Sequence, residues 1–449
     1  MIRHLVNPLA LFLMVWGTAT ILYLGGVLAG TFPAPELLTV GAVLLSIGTF
    51  CLGYLTWSLF RELPPRLARL APGRAVSTAG SESTTCPPLT RDRLARALQI
   101  ILLIGLVALG MELYRFAALA SHFNTSWSYL VTHPARLRLR LVQFIAGNIF
   151  QTSPTVMLLS LTNSIFSIGF VLLGLFLYRD RTRWKYVYLS AFLFISLLIG
   201  LMHLSRYEVT TNILYLVFTY CFMHARDSAR QQAEGLGTLR PSARTSTRQL
   251  VVPLAAIVVL FLLIDLLLRK SAEYGQANRL QGFAYHLYWY IASPLAAFDQ
   301  FLATFTNDYK LGQYTFFPFY KWLCRFHLAR ETEFALYGER VYIPHAAAVY
   351  TYLQNFYADF GLLGVALAPY AIGWICAAVR RQAHRCFQYL NLYIVLLLFI
   401  LFSFYNFFLI SNQIYLQILF GFLFFRYELG EEPPAAPAPM LRSYQDSRT

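Results

Sequence analysis

The sequence predicts an all-α polytopic integral membrane protein of about ten transmembrane helices with one large extracytoplasmic loop, and three observations lead there. Of its 449 residues 57% are hydrophobic and only 13% charged, about half the charged share of an average soluble protein. Apolar stretches of roughly 20 residues, the length that crosses the hydrocarbon of a bilayer, recur along the chain. The arginines and lysines are distributed unevenly among the segments joining those stretches. This composition excludes a fibrous, disordered or nucleic-acid-binding chain. The formal net charge of +15 is mostly a matter of topology, because charge on a polytopic protein must first be sorted by side of the membrane.

The first apolar stretch runs from about Val6 to Ala29. It is too long for a signal-peptide core of roughly 7–15 residues and is read as the first span. Further spans are expected near 37–60, 97–119, 153–178, 186–202 and 208–224, and then near 250–268, 358–378, 388–404 and 409–425. Phe283–Phe305 is apolar but carries His286 and Asp299. Counting it as a span would invert everything after it, so it is read as an interfacial or re-entrant helix.

With both termini in the cytoplasm, inner segments hold 23 of the 36 basic residues and outer segments the remaining 13, the asymmetry that the positive-inside rule requires. The inner loops 61–97 and 225–249 are rich in Arg, Ser, Thr, Gly and Pro and read as flexible connectors. The tail from Gly430, with its Pro-Pro-Ala-Ala-Pro-Ala-Pro run, reads the same way. The chain therefore divides into about seven helices over 1–268, an external segment over 269–345, about three helices over 346–426 and a cytoplasmic tail over 427–449.

Cys51, Cys86, Cys221, Cys324, Cys376 and Cys386 contain no C-x-x-C pair and no His at metal-ligand spacing, so neither a zinc site nor another metal is expected. Only Cys324 falls outside on this topology, which leaves no extracytoplasmic disulfide within one chain. The inner side has no Gly-rich phosphate loop.

The external segment is where chemistry is expected, since a loop of that length is usually functional. Its charges interleave with aromatic runs, Tyr285-His-Leu-Tyr-Trp-Tyr290 and Tyr314-Thr-Phe-Phe-Pro-Phe-Tyr320. Rings stack on the C–H faces of sugars while carboxylates and guanidiniums bond their hydroxyls; equally, such rings anchor a loop among lipid headgroups. Glu112 and Arg115 end the third span, Arg136, Arg138 and Arg140 alternate with leucines in the following loop, and His203, Arg206 and Glu208 occupy a short turn. Outer arginines at span ends either snorkel to lipid phosphate or clamp a diphosphate bidentately. Arg136, Arg138 and Arg140 are read as lipid anchors and Arg206 as part of a clamp.

The segment Gly338-Glu-Arg-Val-Tyr-Ile-Pro-His-Ala-Ala-Ala-Val-Tyr-Thr-Tyr-Leu-Gln-Asn-Phe-Tyr-Ala-Asp-Phe-Gly-Leu-Leu-Gly364 resembles the region of bacterial oligosaccharide repeat-unit polymerases, the Wzy-type O-antigen polymerases, where the large external loop re-enters the membrane. Pro344-His345 is also similar to the loop end of O-antigen ligases that carries their catalytic His, although Ala346 stands where ligases usually have Asn. Ser205-Arg206 resembles a Gly-Arg start to a span in the polymerases, and Arg136 with Gly147 matches an Arg-x10-Gly spacing found in some of their external loops.

The resemblance implies a GT-C-like, metal-independent membrane glycosyltransferase in the bacterial inner membrane, with its active site on the periplasmic face and no cofactor. Donor and acceptor would be undecaprenyl-diphosphate-linked oligosaccharides, with membrane lipids, a flippase and a chain-length regulator as further partners. His345 is the expected base and Glu339 its alternate. Arg206, Arg279, Arg340 and Arg115 are the expected diphosphate-binding residues. Asp359 is either a local cap or a partner for one of these arginines, since intramembrane carboxylates usually have a function or a partner. Two other functions stay open, an O-antigen ligase and a lipid-linked oligosaccharide flippase or transporter. A classical polyprenyl-phosphate-sugar transferase would carry an acidic pair in its first outer loop, and Gly30-Thr-Phe-Pro-Ala-Pro-Glu36 has none.

Overall fold

The structure, a computed structural model, describes residues 2–70, 90–122, 154–180, 182–202, 206–233, 279–329, 341–343, 346–347, 350–406, 408 and 411–427. These form α1 (Ile2–Leu5), α2 (Pro8–Leu28), α3 (Leu37–Leu70), α4 (Arg91–His122), α5 (Pro154–Arg179), α6 (Trp184–Met202) and α7 (Arg206–Ala233). They continue as α8 (Arg279–Thr304), α9 (Phe317–Arg325), α10 (Leu353–Arg385), α11 (Leu390–Phe402) and α12 (Asn412–Tyr427). A two-residue antiparallel ladder, β1 (Val341–Tyr342) with β2 (Ala346–Ala347), pairs Val341 with Ala347 and Tyr342 with Ala346.

Six helices among the described residues are long and apolar enough to cross a membrane: α2, α3 over Leu37–Leu59, α4 over Arg91–Ala118, α5 over Thr155–Arg179, α6 and α10. The protein is thus an α-helical polytopic membrane protein. The span expected near 250–268 lies outside the described residues. Three connector boundaries shift from the sequence reading: α3 continues to Leu70, α4 already starts at Arg91, and α7 runs on to Ala233. The α4 and α7 extensions are rich in Arg, Ala and Gln, which favour a helix whether or not lipid surrounds them, and Asp92 complements the positive end of α4; the α3 extension continues through Pro64 and Pro65, against propensity.

Local chemistry sets the turns. Asn7 caps α2 by accepting from the Leu9 amide at 3.2 Å, with Pro8 at the first helical position. Beyond its other end Gly30 sits at φ +71°, and the Thr31 amide returns to the Gly26 carbonyl at 2.8 Å. This Phe32 turn marks one end of the bundle. The opposite end is marked by Arg91, whose Nε lies 3.3 Å from Asp180 Oδ1. Contacts from Tyr178 to Asp227, from Phe222 to Tyr393 and from Tyr393 to the Val6 carbonyl extend that end across α5, α7, α11 and the start of α2.

The most extensive helix pairing is α3 against α10, and two glycines permit it. A Cβ on Gly53 would lie 2.0 Å from the Tyr370 carbonyl oxygen, and one on Gly373 would lie 2.3 Å from that of Phe50. Neither backbone could approach so closely with any side chain in between, the use of small residues typical of membrane helix interfaces.

Helix α11 is only 13 residues long, about 20 Å at 1.5 Å per residue, and stops inside the bundle. Its end is satisfied by protein: the Tyr352 amide donates to the Ser403 carbonyl at 2.9 Å, and Trp16 Nε1 donates to Ser403 Oγ at 2.9 Å. Tyr352 Oη in turn meets Ser46 Oγ at 2.8 Å. Backbone at membrane depth that leaves its helix has to find such partners, since lipid offers none.

Candidate functional site

Helix α8 has its described partners at the Phe32 end. The Tyr288 and Trp289 rings lie 6.1 and 5.4 Å from that of Phe32, Phe301 meets Tyr350 and Tyr357, and Ala292 through Asp299 are buried. Asp299 accepts from the Glu36 amide at 2.9 Å and from the Thr39 hydroxyl, capping the start of α3.

Next comes a tight turn that docks against α10, and Asp359 is the dock. Helix α10 is broken at Gly361, at φ 62° and ψ −148°, so carbonyls just before it lose their helical donors. The Lys310 amide donates instead to the Ala358 carbonyl at 3.0 Å and the Leu311 amide to that of Asp359 at 3.3 Å. The fully buried Asp359 carboxylate accepts from the Tyr314 and Thr315 amides at 3.1 and 2.6 Å. These bonds reach a turn 44 and 45 residues away in sequence. Gly364 completes the joint, since a Cβ there would meet the Phe356 carbonyl at 2.3 Å. The Asp-Phe-Gly-x-x-Gly stretch is therefore a hinge-shaped junction between the turn before α9 and a span.

From that turn the amphipathic α9 leads toward a polar cleft. Phe319 packs edge-on against Tyr415 at 5.3 Å, while Phe316, Phe319, Trp322, Leu323 and Phe326 are exposed, as on helices that lie in a membrane interface. Burial, and then the neighbouring Arg325, hold the Lys321 ammonium below its ordinary pKa.

The cleft encloses about 740 Å³, its open mouth included. Asn163, Phe166 and Ser167 of α5 form one wall and Ser196 and Ile199 of α6 the next. Helix α7 contributes Tyr207, Glu208, Thr211, Asn212 and Tyr215; Ser411 with Gln413, Ile414 and Gln417 of α12 closes it. Tyr207, Glu208 and Ser411 stand at the helix ends nearest the Phe32 turn, so the cleft enters the bundle from that end. Its walls are tied by Asn212 Nδ2 to Ser196 Oγ at 3.0 Å, Tyr215 Oη to Gln417 Oε1 at 2.9 Å, and Ser164 Oγ to the Gln413 carbonyl at 2.9 Å. Behind Asn163 lies Glu112, fully buried and paired with Arg115 at 2.9 Å, its other oxygen 3.5 Å from Asn163 Nδ2.

Two of the sequence-selected residues gather here. Arg115 reaches the cleft through Glu112 and Asn163, and Arg206 is the first residue of α7, directly before Tyr207 and Glu208. Arg279 begins α8, away from the cleft walls. His345, Glu339 and Arg340 lie outside the described residues, as do Arg136, Arg138, Arg140 and Gly147. Sequence reasoning weighed charged residues in the spans and passed over the neutral amides Asn163, Asn212, Gln413 and Gln417. The signal that finds them is an isolated carboxamide inside an apolar run, costly in lipid and therefore turned inward.

No protein-family model, curated protein or solved structure matches this chain. Among the described residues no group of three or more His, Cys, Asp or Glu could hold a metal ion.

Proposed function

We propose that the protein is a bacterial inner-membrane glycosyltransferase that polymerises polyprenyl-diphosphate-linked repeat units. The observation that carries this is the cleft's lining: carboxamides, hydroxyls, tyrosines and one carboxylate, at one end of a membrane bundle beside an apolar-faced helix. Neutral donors and acceptors set among aromatic rings suit sugar hydroxyls and C–H faces. The membrane-facing α9 suits a lipid tail that stays in the bilayer while its glycan enters the cleft. On the positive-inside topology, with about ten spans and both termini cytoplasmic, the Phe32 end is periplasmic, where lipid-linked glycans would be assembled.

In the reaction an acceptor hydroxyl of the incoming unit attacks the anomeric carbon of the growing chain. The new glycosidic C–O bond forms as the bond to diphosphate breaks, the hydroxyl proton passes to a base, and polyprenyl diphosphate leaves as an anion. His345 is the proposed base, with Glu339 its alternate; a positioned base contributes typically 10²–10⁴-fold. Arg206, with Arg115, Arg279 and Arg340, would stabilise charge on the leaving diphosphate.

A transport reading draws on a specific feature, the α11 end within the bundle beside Trp16 and Tyr352, since discontinuous helices mark many transporter sites. One experiment separates the two. Purified protein in proteoliposomes is given lipid-linked repeat units in one leaflet only, the outer or the inner in separate runs, and the products are resolved by size and by leaflet. A ladder with release of polyprenyl diphosphate supports the polymerase; unchanged repeat units that equilibrate between leaflets support transport and overturn it.

A further inference from the structure

We infer that the cleft carries a hydroxyl-recognition subsite for a neutral sugar ring, formed by Asn163 and Gln417 and aligned from behind by the Glu112–Arg115 pair. This rests on the glycan reading above and specifies which atoms would hold the sugar.

Both carboxamides are nearly inaccessible, at 7% and 1% exposure, yet each keeps one polar atom with no hydrogen-bond partner among the described residues, Asn163 Oδ1 and Gln417 Nε2. Leaving such an atom unmatched costs about 1–3 kcal/mol, so two of them lining one cleft call for a ligand that matches both. They are complementary: an amide oxygen accepts and an amide nitrogen donates, while a sugar hydroxyl does one of each.

The neighbours decide which way the amides face. A carboxylate only accepts, so Glu112 Oε1 beside Asn163 requires the Nδ2 side of that amide and leaves Oδ1 for the cleft. Arg115 holds the same carboxylate through its other oxygen, making Glu112 and Arg115 positioning residues. In Gln417, Oε1 is engaged by Tyr215 Oη, which leaves Nε2 as the atom still to be matched. The flanking Tyr207 ring, 36% exposed, supplies a face on which a pyranose can stack.

The test uses an expectation that a purely structural pair would not meet. Asn163→Leu, and separately Gln417→Met combined with Tyr215→Phe so that no hydroxyl is stranded, remove the unmatched atoms without reducing volume much. If the atoms await a ligand, both variants melt at or above the wild-type temperature while binding glycan more weakly. The probe is the polyprenyl-diphosphate oligosaccharide extracted from the source cells' membranes, with bare polyprenyl diphosphate as reference, titrated onto protein in nanodiscs and read by native mass spectrometry.

The expected result is glycan-lipid affinity at least about tenfold above that of the bare lipid in wild type, with the excess lost in both variants. Lower melting temperatures in both variants with unchanged glycan affinity would assign the pair to structure and overturn the subsite. Wild-type binding no tighter for the glycan lipid than for the bare lipid overturns it as well. Tight, Asn163-dependent binding without elongation would keep the subsite and remove the polymerase reading instead.

Discussion

The Asp359 carboxylate holds the Thr315 amide at 2.6 Å across 44 residues of sequence, and through it the turn between α8 and α9 is fastened to the broken start of α10. The bond ties the part of the chain expected to carry chemistry to the part that crosses the membrane, with no substrate involved.

Asp359→Ala should therefore act on stability and not on recognition. It strands two backbone amides, the Tyr314 and Thr315 donors, for about 2 kcal/mol or more in total. Melting in detergent should show the loss, while KM of the surviving protein for lipid-linked glycan stays within about twofold. A raised KM at unchanged melting temperature would return Asp359 to the binding residues.

Gly53→Ala and Gly373→Ala should each separate α3 from α10, because the added carbon meets backbone oxygen and not a side chain able to move. Overpacking of this kind costs typically 1–3 kcal/mol. Gly41→Ala in the same helix meets nothing within 4 Å and should leave the melting temperature unchanged, which makes it the control.

At the Arg91 end, Asp180 introduces a pH dependence of known sign. Burial pushes its carboxyl pKa up, but the Thr182 hydroxyl and amide, with Arg91, outweigh burial and bring it below the ordinary value. A depressed folded-state pKa adds stability above the unfolded-state pKa, and that stability is lost as pH falls through the folded value. Melting temperature followed downward from neutral pH should fall more steeply in wild type than in Asp180→Asn; parallel curves would dismiss the linkage.

Orientation is open to thiol labelling, although the native reporter is a poor one. Cys324, the cysteine expected outside, is buried in α9 at 5% exposure. Exposed positions are needed: Thr306→Cys near the Phe32 end and Arg183→Cys near the Arg91 end, with Cys51, Cys86 and Cys386 changed to Ala. An impermeant maleimide on intact spheroplasts should modify the first and spare the second; the reverse pattern would invert the topology.

Arg206 separates a clamp from an anchor. A guanidinium gripping two diphosphate oxygens is poorly replaced by a point charge, so Arg206→Lys should lower turnover at least about tenfold, roughly 1.4 kcal/mol of transition-state stabilisation. Arg136→Lys, read as a lipid anchor, should be nearly silent. Chain extension at matched expression measures both, and near-normal turnover for Arg206→Lys would dismiss the clamp.

Long apolar runs were legible because the bilayer fixes their length, and α2, α3, α4, α5, α6 and α10 correspond to spans read from sequence. Where those helices leave the membrane was not legible: α7 past residue 224 continues on intrinsic propensity, which hydropathy does not register, and α3 continues past residue 60 through Pro64 and Pro65, which neither hydropathy nor propensity foretells. The sequence singled out the stretch around Asp359 and Gly361, yet its meaning depended on Thr315, far away in the chain. The cleft was least visible, because Asn163 and Gln417 belong to different spans and only packing brings their unmatched atoms to one cavity.

Helix α11 has a consequence for how the protein is made. The Ser403 carbonyl at its end accepts from the Tyr352 amide and the Ser403 hydroxyl from Trp16 Nε1, while the Phe402 carbonyl is met by the Tyr405 and Asn406 amides; the Trp16–Ser403 bond joins residues 387 apart in sequence. Helix α2 therefore keeps an unfilled indole donor until α11, far along the chain, has been made and packed against it. That bond closes later than the contacts α2 makes with its near neighbours in sequence. Removing the Ser403 hydroxyl alone would keep every hydrophobic span but lose the strut between α2 and the end of α11, so a change at a small polar residue far from Trp16 acts as a lesion in the packing of α2.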